Sequence, residues 1–437
     1  MGHNDTLILL ITIDSLRRDY VGCFGNRGAN SPFMDKLASE GTRFDNALSN
    51  GASTAESFPT IMCSGPPPIR LEDRGVKGKR KIAQLLKECG FATAAFHSNP
   101  FLSAGFGYQE GFDTFYAGAK DRLPALIEGV KLPLNQFFLN KGPITDCWEL
   151  IRRAIRWSKS AAKPAFLWVH FMDTHLPYLP EVRVTGLINS MRNRTLWGIL
   201  LTRNLQDKLT RPSSELREQM TNAYGACIRK VDRSIGLLAS EIFKQFSNRL
   251  IILASDHGEG FWEHGYFGHS GRMHDEILRV PLIVYGNGIA SARTVKGMVA
   301  LSDIMPTVAR YVGQSSDSEY GHDLLATVAD PDLAERRVIS TGFNPRFKLR
   351  SVSIRTPISK YVRQEIIDGS RILSEQFYDL VKDPNERIDV HVEHPGEAAL
   401  AEQELERVYG SDYGRRGVYS VGEEKHMTDR LRSLGYE

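Results

Sequence analysis

The run Leu7-Ile8-Leu9-Leu10-Ile11-Thr12-Ile13 is apolar at almost every position and stops at Asp14. A stretch that is apolar throughout, not only at alternate positions, predicts a strand buried on both faces. The pattern returns at 165–169, which runs into His170-Phe171-Met172-Asp173-Thr174-His175, and at 250–254, which runs into Ser255-Asp256-His257-Gly258-Glu259-Gly260. Shorter strands are predicted at 42–44, 92–96 and 280–284. Helical spacing separates them. It carries Met34, Leu37 and Ala38 after Ser31-Pro32, then 81–88 before Gly90, and Met220, Ala223, Ile228, Val231, Ile235 and Leu238 within 214–242. A further helix is predicted at 302–312. Strand and helix alternate, which predicts an α/β fold with a mainly parallel sheet sandwiched by helices.

Elsewhere the pattern weakens. Residues 51–64 begin as a small-residue loop and turn apolar after Pro59, as a loop does when it feeds a helix. The aromatic, Gly-rich stretch 99–116 reads as loop over the sheet edge. Between Pro180 and Pro212 the chain is irregular and basic, with Arg192, Arg194, Arg203, Lys208 and Arg211 around an apolar core; it reads as a helical insertion or a cap. From about 336 to 390 the chain is β-rich, and 351–355 and 359–363 predict antiparallel strands of a second, smaller sheet. A helix rich in Ala and Glu is predicted at 396–406.

Composition narrows the function classes. A net charge of +3 is too small to predict a nucleic-acid partner. Cys23, Cys63, Cys89, Cys147 and Cys227 are scattered and odd in number, so they give neither a disulfide framework nor a zinc-ribbon spacing. A reducing, cytoplasmic location is the expectation, because the N-terminus lacks a basic leader and no segment reaches transmembrane length. Gly2 and Thr6 match only the loose N-myristoylation pattern.

The chemistry lies where strands end. In a parallel sheet, carboxyl ends share one rim, so Asp14, the cluster from His170 to His175, and Asp256-His257 converge although far apart in sequence. Two carboxylates and an imidazole suit a divalent cation. An Asp-His pair at a strand end can also cap a helix or bond a loop.

At this point the sequence resembles the sulfatase family of the alkaline phosphatase superfamily. The resemblance rests on Ile13-Asp14-Ser15-Leu16-Arg17, Ser31-Pro32-Phe33-Met34-Asp35-Lys36-Leu37-Ala38, Phe44-Asp45-Asn46-Ala47, His170 through Tyr178, Ser255-Asp256-His257-Gly258-Glu259, His269 with Asp275 through Ile283, and Phe377 through Pro384. Arg430 through Tyr436 is also typical of a family terminus. The resemblance implies an alkaline-phosphatase-like fold in which 1–330 form the catalytic domain, with 180–212 as its insertion. Residues 331–437 then form a small antiparallel β-rich subdomain and helical tail. It also implies hydrolysis or transfer at a sulfuryl or phosphoryl centre.

Counting forward from Phe44 and backward from Ile61-Met62-Cys63-Ser64 places Thr54 at the family's nucleophile position. Sulfatases carry a convertible Cys or Ser there, in a Cys/Ser-x-Pro-x-Arg motif, whereas this chain reads Thr54-Ala55-Glu56-Ser57-Phe58. A shifted register, Ser57-Phe58-Pro59-Thr60-Ile61, restores Ser-x-Pro but puts Ile61 where the arginine belongs. Asp14 is followed by Ser15, not by a second aspartate, and the family's lysine loop is replaced by Phe96-His97-Ser98-Asn99. One carboxylate plus a threonine is similar to the phosphoglycerol transferase and lipoteichoic acid synthase branch.

The resemblance therefore implies one divalent ion (Mn, Ca, Mg or Zn) on Asp14, Thr54, Asp256 and His257, with Thr54 as nucleophile. His175 and His269 contact the anionic group or protonate the leaving oxygen, or are packed histidines. His170 and Asn99 are candidate substrate contacts. The expected activity is hydrolysis or transfer of phosphate or phosphonate esters, diesters above all, on a small-molecule, glycan or lipid-linked substrate. The alternatives are a sulfuric ester hydrolase and a catalytically silent anion-binding protein.

Overall fold

The computed structural model describes residues 5–26, 31–118, 145–180, 212–315, 320–327, 336–367, 369 and 371–410. Most of the 180–212 insertion, Gly2, and Arg430 through Tyr436 lie outside them.

Strand β1 (Thr6–Ile13) is buried at all eight positions. Its side chains alternate between two cores, as a strand's must. Leu7, Leu9, Ile11 and Ile13 face the helices Cys147–Ser158 and Ser214–Ile242 and helix α1 (Pro32–Glu40). Ile8 and Leu10 face helix α2 (Thr54–Cys63) and the helices Ile82–Glu88 and Ile304–Tyr311. Helices cover both faces, which is why the strand reads as a continuous apolar run.

Among the described residues seven further strands join β1 in the main sheet. They are β2 (Thr42–Leu48), β3 (Ala92–His97), β4 (Thr114–Ala117), β5 (Ala165–Phe171), β6 (Asn248–Ser255), β9 (Leu282–Gly286) and β10 (Arg293–Ala300), in the order β10-β2-β9-β6-β1-β5-β3-β4. β9 runs antiparallel to both neighbours and the remaining pairs are parallel. The short strands β7 (Gly260–Phe261) and β8 (Phe267–Gly268) pair apart from this sheet.

The second sheet is antiparallel, in the order β11 (Val338–Asn344), β12 (Leu349–Arg355), β13 (Ser359–Ile366), β14 (Ile372–Asp379). The helix Pro395–Tyr409 packs Ala401 and Leu405 against Ile339, Val352, Ile354 and Phe377. Several contacts bind this sheet to the elements around the main one, two of them as follows. Ala52 N donates to Thr341 O at 2.8 Å, just before α2, and Lys360 Nζ of β13, fully buried, meets Asp275 Oδ1 at 2.6 Å.

The structure departs from expectation in detail. Within the stretch read as loop, Thr114–Ala117 forms the edge strand β4, too short and too half-buried to show a periodicity. The helix expected at 302–312 starts as a single 3-10 turn, Leu301–Asp303. Among the described residues no helix is long and apolar enough to cross a membrane.

Candidate functional site

β6, β1, β5 and β3 are adjacent and parallel, so their carboxyl ends open on one rim. Asp256-His257 leave β6, Asp14 leaves β1, His170 is the penultimate residue of β5, and Asn99 lies two residues beyond β3. Thr54 arrives from the other direction, as the first residue of α2. Its hydroxyl thus sits at the positive end of a helix dipole. Glycine is required at two approaches. A Cβ on Gly51 would lie 2.3 Å from Ser57 N, and one on Gly258 would lie 1.9 Å from Glu276 O.

Asp14, Thr54, Asp256 and His257 are all buried. Thr54 Oγ1 is 2.9 Å from Asp256 Oδ2 and 3.2 Å from Asp14 Oδ2. Its single proton cannot serve both carboxylates. Asn99 Nδ2 donates to Asp14 Oδ2 at 2.9 Å and lies 3.3 Å from Thr54 Oγ1. Backbone amides hold the other oxygen of Asp256: Ser15 N and His257 N donate to Asp256 Oδ1 at 3.1 and 2.9 Å. Ser15 adopts a positive φ of 56°, which turns the chain sharply enough to make that contact.

The test of a cation at this point is His257. Its Nδ1 is committed to Gly258 O at 2.9 Å, while Nε2 is buried without a hydrogen-bond partner among the described residues. That nitrogen stands 3.6 Å from Asp14 Oδ1 and 3.5 Å from Asp256 Oδ2. Ligand atoms about 2.1 Å from a tetrahedral centre lie roughly 3.4 Å apart. The separations fit. A backbone carbonyl on Nδ1 with a bare Nε2 is also how ligating histidines are usually oriented. Asp14, Asp256 and His257 are one of three such groupings among the described residues. In the grouping of His264, His274 and Glu276, both ring nitrogens of His264 are already engaged, by Glu276 and by the Asn385 and Glu386 carbonyls. Lys230 neutralises the grouping of Asp146, Cys147 and Asp173.

Charge is unevenly shared. Burial works to raise the Asp14 carboxyl, but His175 and His170 outweigh it and hold Asp14 well below its ordinary value. Burial and then the charge of Asp14 push Asp256 up to about 7. Burial lowers His257, which keeps its imidazole neutral, the form that ligates metals.

The remaining expected residues are close by. The His269 ring is 4.2 Å from that of His257 and 5.6 Å from that of His175. His170 Nε2, also unpartnered, is 3.4 Å from Asp14 Oδ2, and its Nδ1 meets Thr12 Oγ1 at 3.0 Å. Several neighbours had no role in the sequence reading. Glu259 Oε1 holds His269 Nδ1 at 2.9 Å while its Oε2 accepts from Tyr178 at 2.8 Å. Glu259 stands in the stretch Ser255-Asp256-His257-Gly258-Glu259, so a signal was present. Arg74 and the end of β11, at Phe343-Asn344, border Thr54 and carry no comparable signal.

Comparison with known proteins places these features. Residues 6–314 match the family model described as Sulfatase. Iduronate 2-sulfatase of Mus musculus is 25% identical over 331 residues, 64% of this chain and 59% of the relative. Arylsulfatase K of Homo sapiens is 26% identical over 237 residues, 52% of this chain and 43% of the relative. The chain thus spans only about half the length of these relatives. An arylsulfatase of Clostridium perfringens is 23% identical over 437 positions, 87% of this chain and 89% of the relative. Among solved structures, one in complex with its substrate D-glucosamine-2-N,6-O-disulfate superposes with a TM-score of 0.69 at 18% identity, over 93% of this chain and 98% of that one. The phosphonate monoester hydrolase of Agrobacterium radiobacter gives 0.67 at 18%, over 98% and 96%. At such identities the structures speak for the fold, but the family model takes in every strand of the main sheet together with α2, and by that match the chain belongs to the sulfatase family.

Proposed function

We propose that the protein is a metal-dependent hydrolase or transferase of phosphate or phosphonate esters, diesters above all, with Thr54 as nucleophile. The observation that carries this reading is the placement of Thr54 Oγ1 against both Asp14 and Asp256, with the bare His257 Nε2 facing the same carboxylates. Asp14, Thr54, Asp256 and His257 would hold the ion. A divalent cation there supplies Lewis-acid charge that favours the alkoxide of a ligating hydroxyl and offsets charge on the transferring group.

The chain's own residues do the rest. Thr54 Oγ1 forms a bond to phosphorus as the bond to the leaving alkoxide breaks, and its proton is given up to solvent. Asn99 Nδ2 holds Asp14 and Thr54 in register. His269, braced by Glu259, and His175 supply a proton to the departing oxygen. Water or an alcohol then attacks the phosphothreonine and restores the hydroxyl.

A second reading, a sulfuric ester hydrolase, is favoured by the sulfatase names of the curated relatives. Against it stands the threonine, which is not a convertible residue. Turnover of an aryl phosphodiester and an aryl sulfate, each with added Mn, Ca or Zn, separates the two. Diester turnover that falls about 10⁴-fold or more in Thr54→Ala is the expected result. Turnover of the sulfate alone would replace the first reading with the second. Full diester activity in Thr54→Ala would remove the nucleophile assignment. The two regions 1–330 and 331–437 act together in this proposal, because β11 borders the nucleophile.

A further inference from the structure

Arg74 ends the single 3-10 turn Glu72–Arg74 and is buried, at 5% exposure. A buried guanidinium ordinarily has all its N–H groups matched, because leaving one unmatched is costly. Here the matching is partial. Nε donates to Leu71 O at 3.3 Å and Nη1 to Glu56 Oε1 at 3.1 Å, whereas Nη2 is buried with no partner among the described residues. The plane of the group is nevertheless fixed. Glu56 is itself buried and its second oxygen accepts from Ser53 Oγ, the residue before the nucleophile. On another side, the guanidinium carbon lies 5.6 Å from the Phe343 ring centroid, at the end of β11.

Arg74 lines the same small cavity as Ser53 and Thr54. The cavity, about 30 Å³, is also lined by Ser270, Phe343 and Asn344. That volume suits a single oxygen with its share of space. An unmatched, oriented N–H of a cation that lines the same cavity as Thr54 calls for an anionic oxygen.

We infer that Arg74 is a substrate-binding residue whose Nη2 donates to a non-bridging oxygen of the ester group presented to Thr54. The inference rests on the proposed hydrolase reading and narrows its substrate class. The group transferred keeps a negative charge after esterification, as a phosphate mono- or diester, a phosphonate monoester or a sulfate ester does, and a neutral triester does not. Glu56 positions Arg74 and touches no substrate.

The test uses inorganic phosphate as probe, titrated calorimetrically into the metal-loaded full chain. Arg74→Lys keeps a cation beside Glu56 but offers no planar fork, and the double variant Arg74→Gln with Glu56→Gln removes both charges so that no carboxylate is left buried alone. A charged hydrogen bond lost in this setting weakens binding by about 10- to 150-fold. Both variants are expected to raise the phosphate Kd at least tenfold, with metal affinity and the melting transition retained. A Kd within twofold of wild type in either variant that still melts cooperatively overturns the inference, as does a wild-type protein that binds no phosphate. Thr54→Ala assays judge the hydrolase reading separately, since phosphate binding needs no turnover.

Discussion

His269 reaches the site with one nitrogen already committed. Its Nδ1 faces Glu259 Oε1, and Glu259 is in turn held by Tyr178 in a fully buried position. Such a carboxylate fixes the tautomer and the direction of the ring, so Glu259→Gln should lower diester turnover by about 10- to 100-fold while leaving phosphate binding nearly intact. Steady-state kinetics check this, and an unchanged kcat would show that His269 needs no brace. The same residue has a stability signature. Burial opposes ionisation of Glu259, but His269, His175 and Tyr178 more than compensate, and its pKa falls below 4.5. A depressed carboxylate contributes stability that is present above its unfolded pKa and is lost as pH falls through the native value. The unfolding free energy of wild type should therefore drop more steeply below about pH 4.5 than that of Glu259→Gln. Urea titrations across that range decide it, and parallel curves would refute the assignment. Asp14, Asp256 and His257 could be read from sequence because each terminates an apolar run. Glu259 stands in the same motif, but its role, like that of Arg74, depends on partners that only folding supplies.

At the scale of elements, the Asp256-His257 turn is held against the helix Asp275–Leu278, where Gly258 N donates to Ile277 O at 2.7 Å. That helix also anchors the second sheet. Asp275 accepts from Arg355 of β12 at 3.2 and 2.9 Å and from Lys360 of β13 at 2.6 Å, and Lys360 also contacts Glu386. Lys360→Met would leave Asp275 and Glu386 sharing a buried position with one cation fewer, at a cost of about 3–5 kcal/mol. Chemical denaturation measures it, and a loss below 1 kcal/mol would mean that the network is not coupled. Gly258→Ala would force the turn away from Glu276 O, costing about 1–3 kcal/mol and weakening metal binding with it. The sequence pattern revealed most of these elements. It did not reveal that β9 runs against its neighbours, since periodicity carries no direction. Nor did it show that β11 ties into the loop before Thr54 through Ala52 and Thr341, a contact between residues nearly three hundred positions apart.

Across the whole molecule, the site places two carboxylates, one hydroxyl and one imidazole at the convergence of two buried strand ends and a helix N-terminus. Asp14 and Asp256 are both fully buried, and their like charges oppose folding until something positive lies between them. The main sheet is built around β1, so the strain falls on the molecule's central strand and on its partner β6. A cation that binds the folded chain and not the unfolded one stabilises it by about 2.7 kcal/mol at a hundredfold excess over Kd. In a chain of 437 residues that corresponds to a rise in Tm of roughly 3 °C. Chelation should reverse the gain. Asp256→Asn separates this effect from general ion binding: removing one charge should make the chelated protein at least as stable as chelated wild type, and the added metal should then raise its Tm by no more than about 1 °C. Calorimetric scans of both proteins with EDTA and with Mn, Ca or Zn decide the matter. An equal rise in both would place the ion away from Asp256 and leave the buried carboxylate pair to be explained by a shared proton.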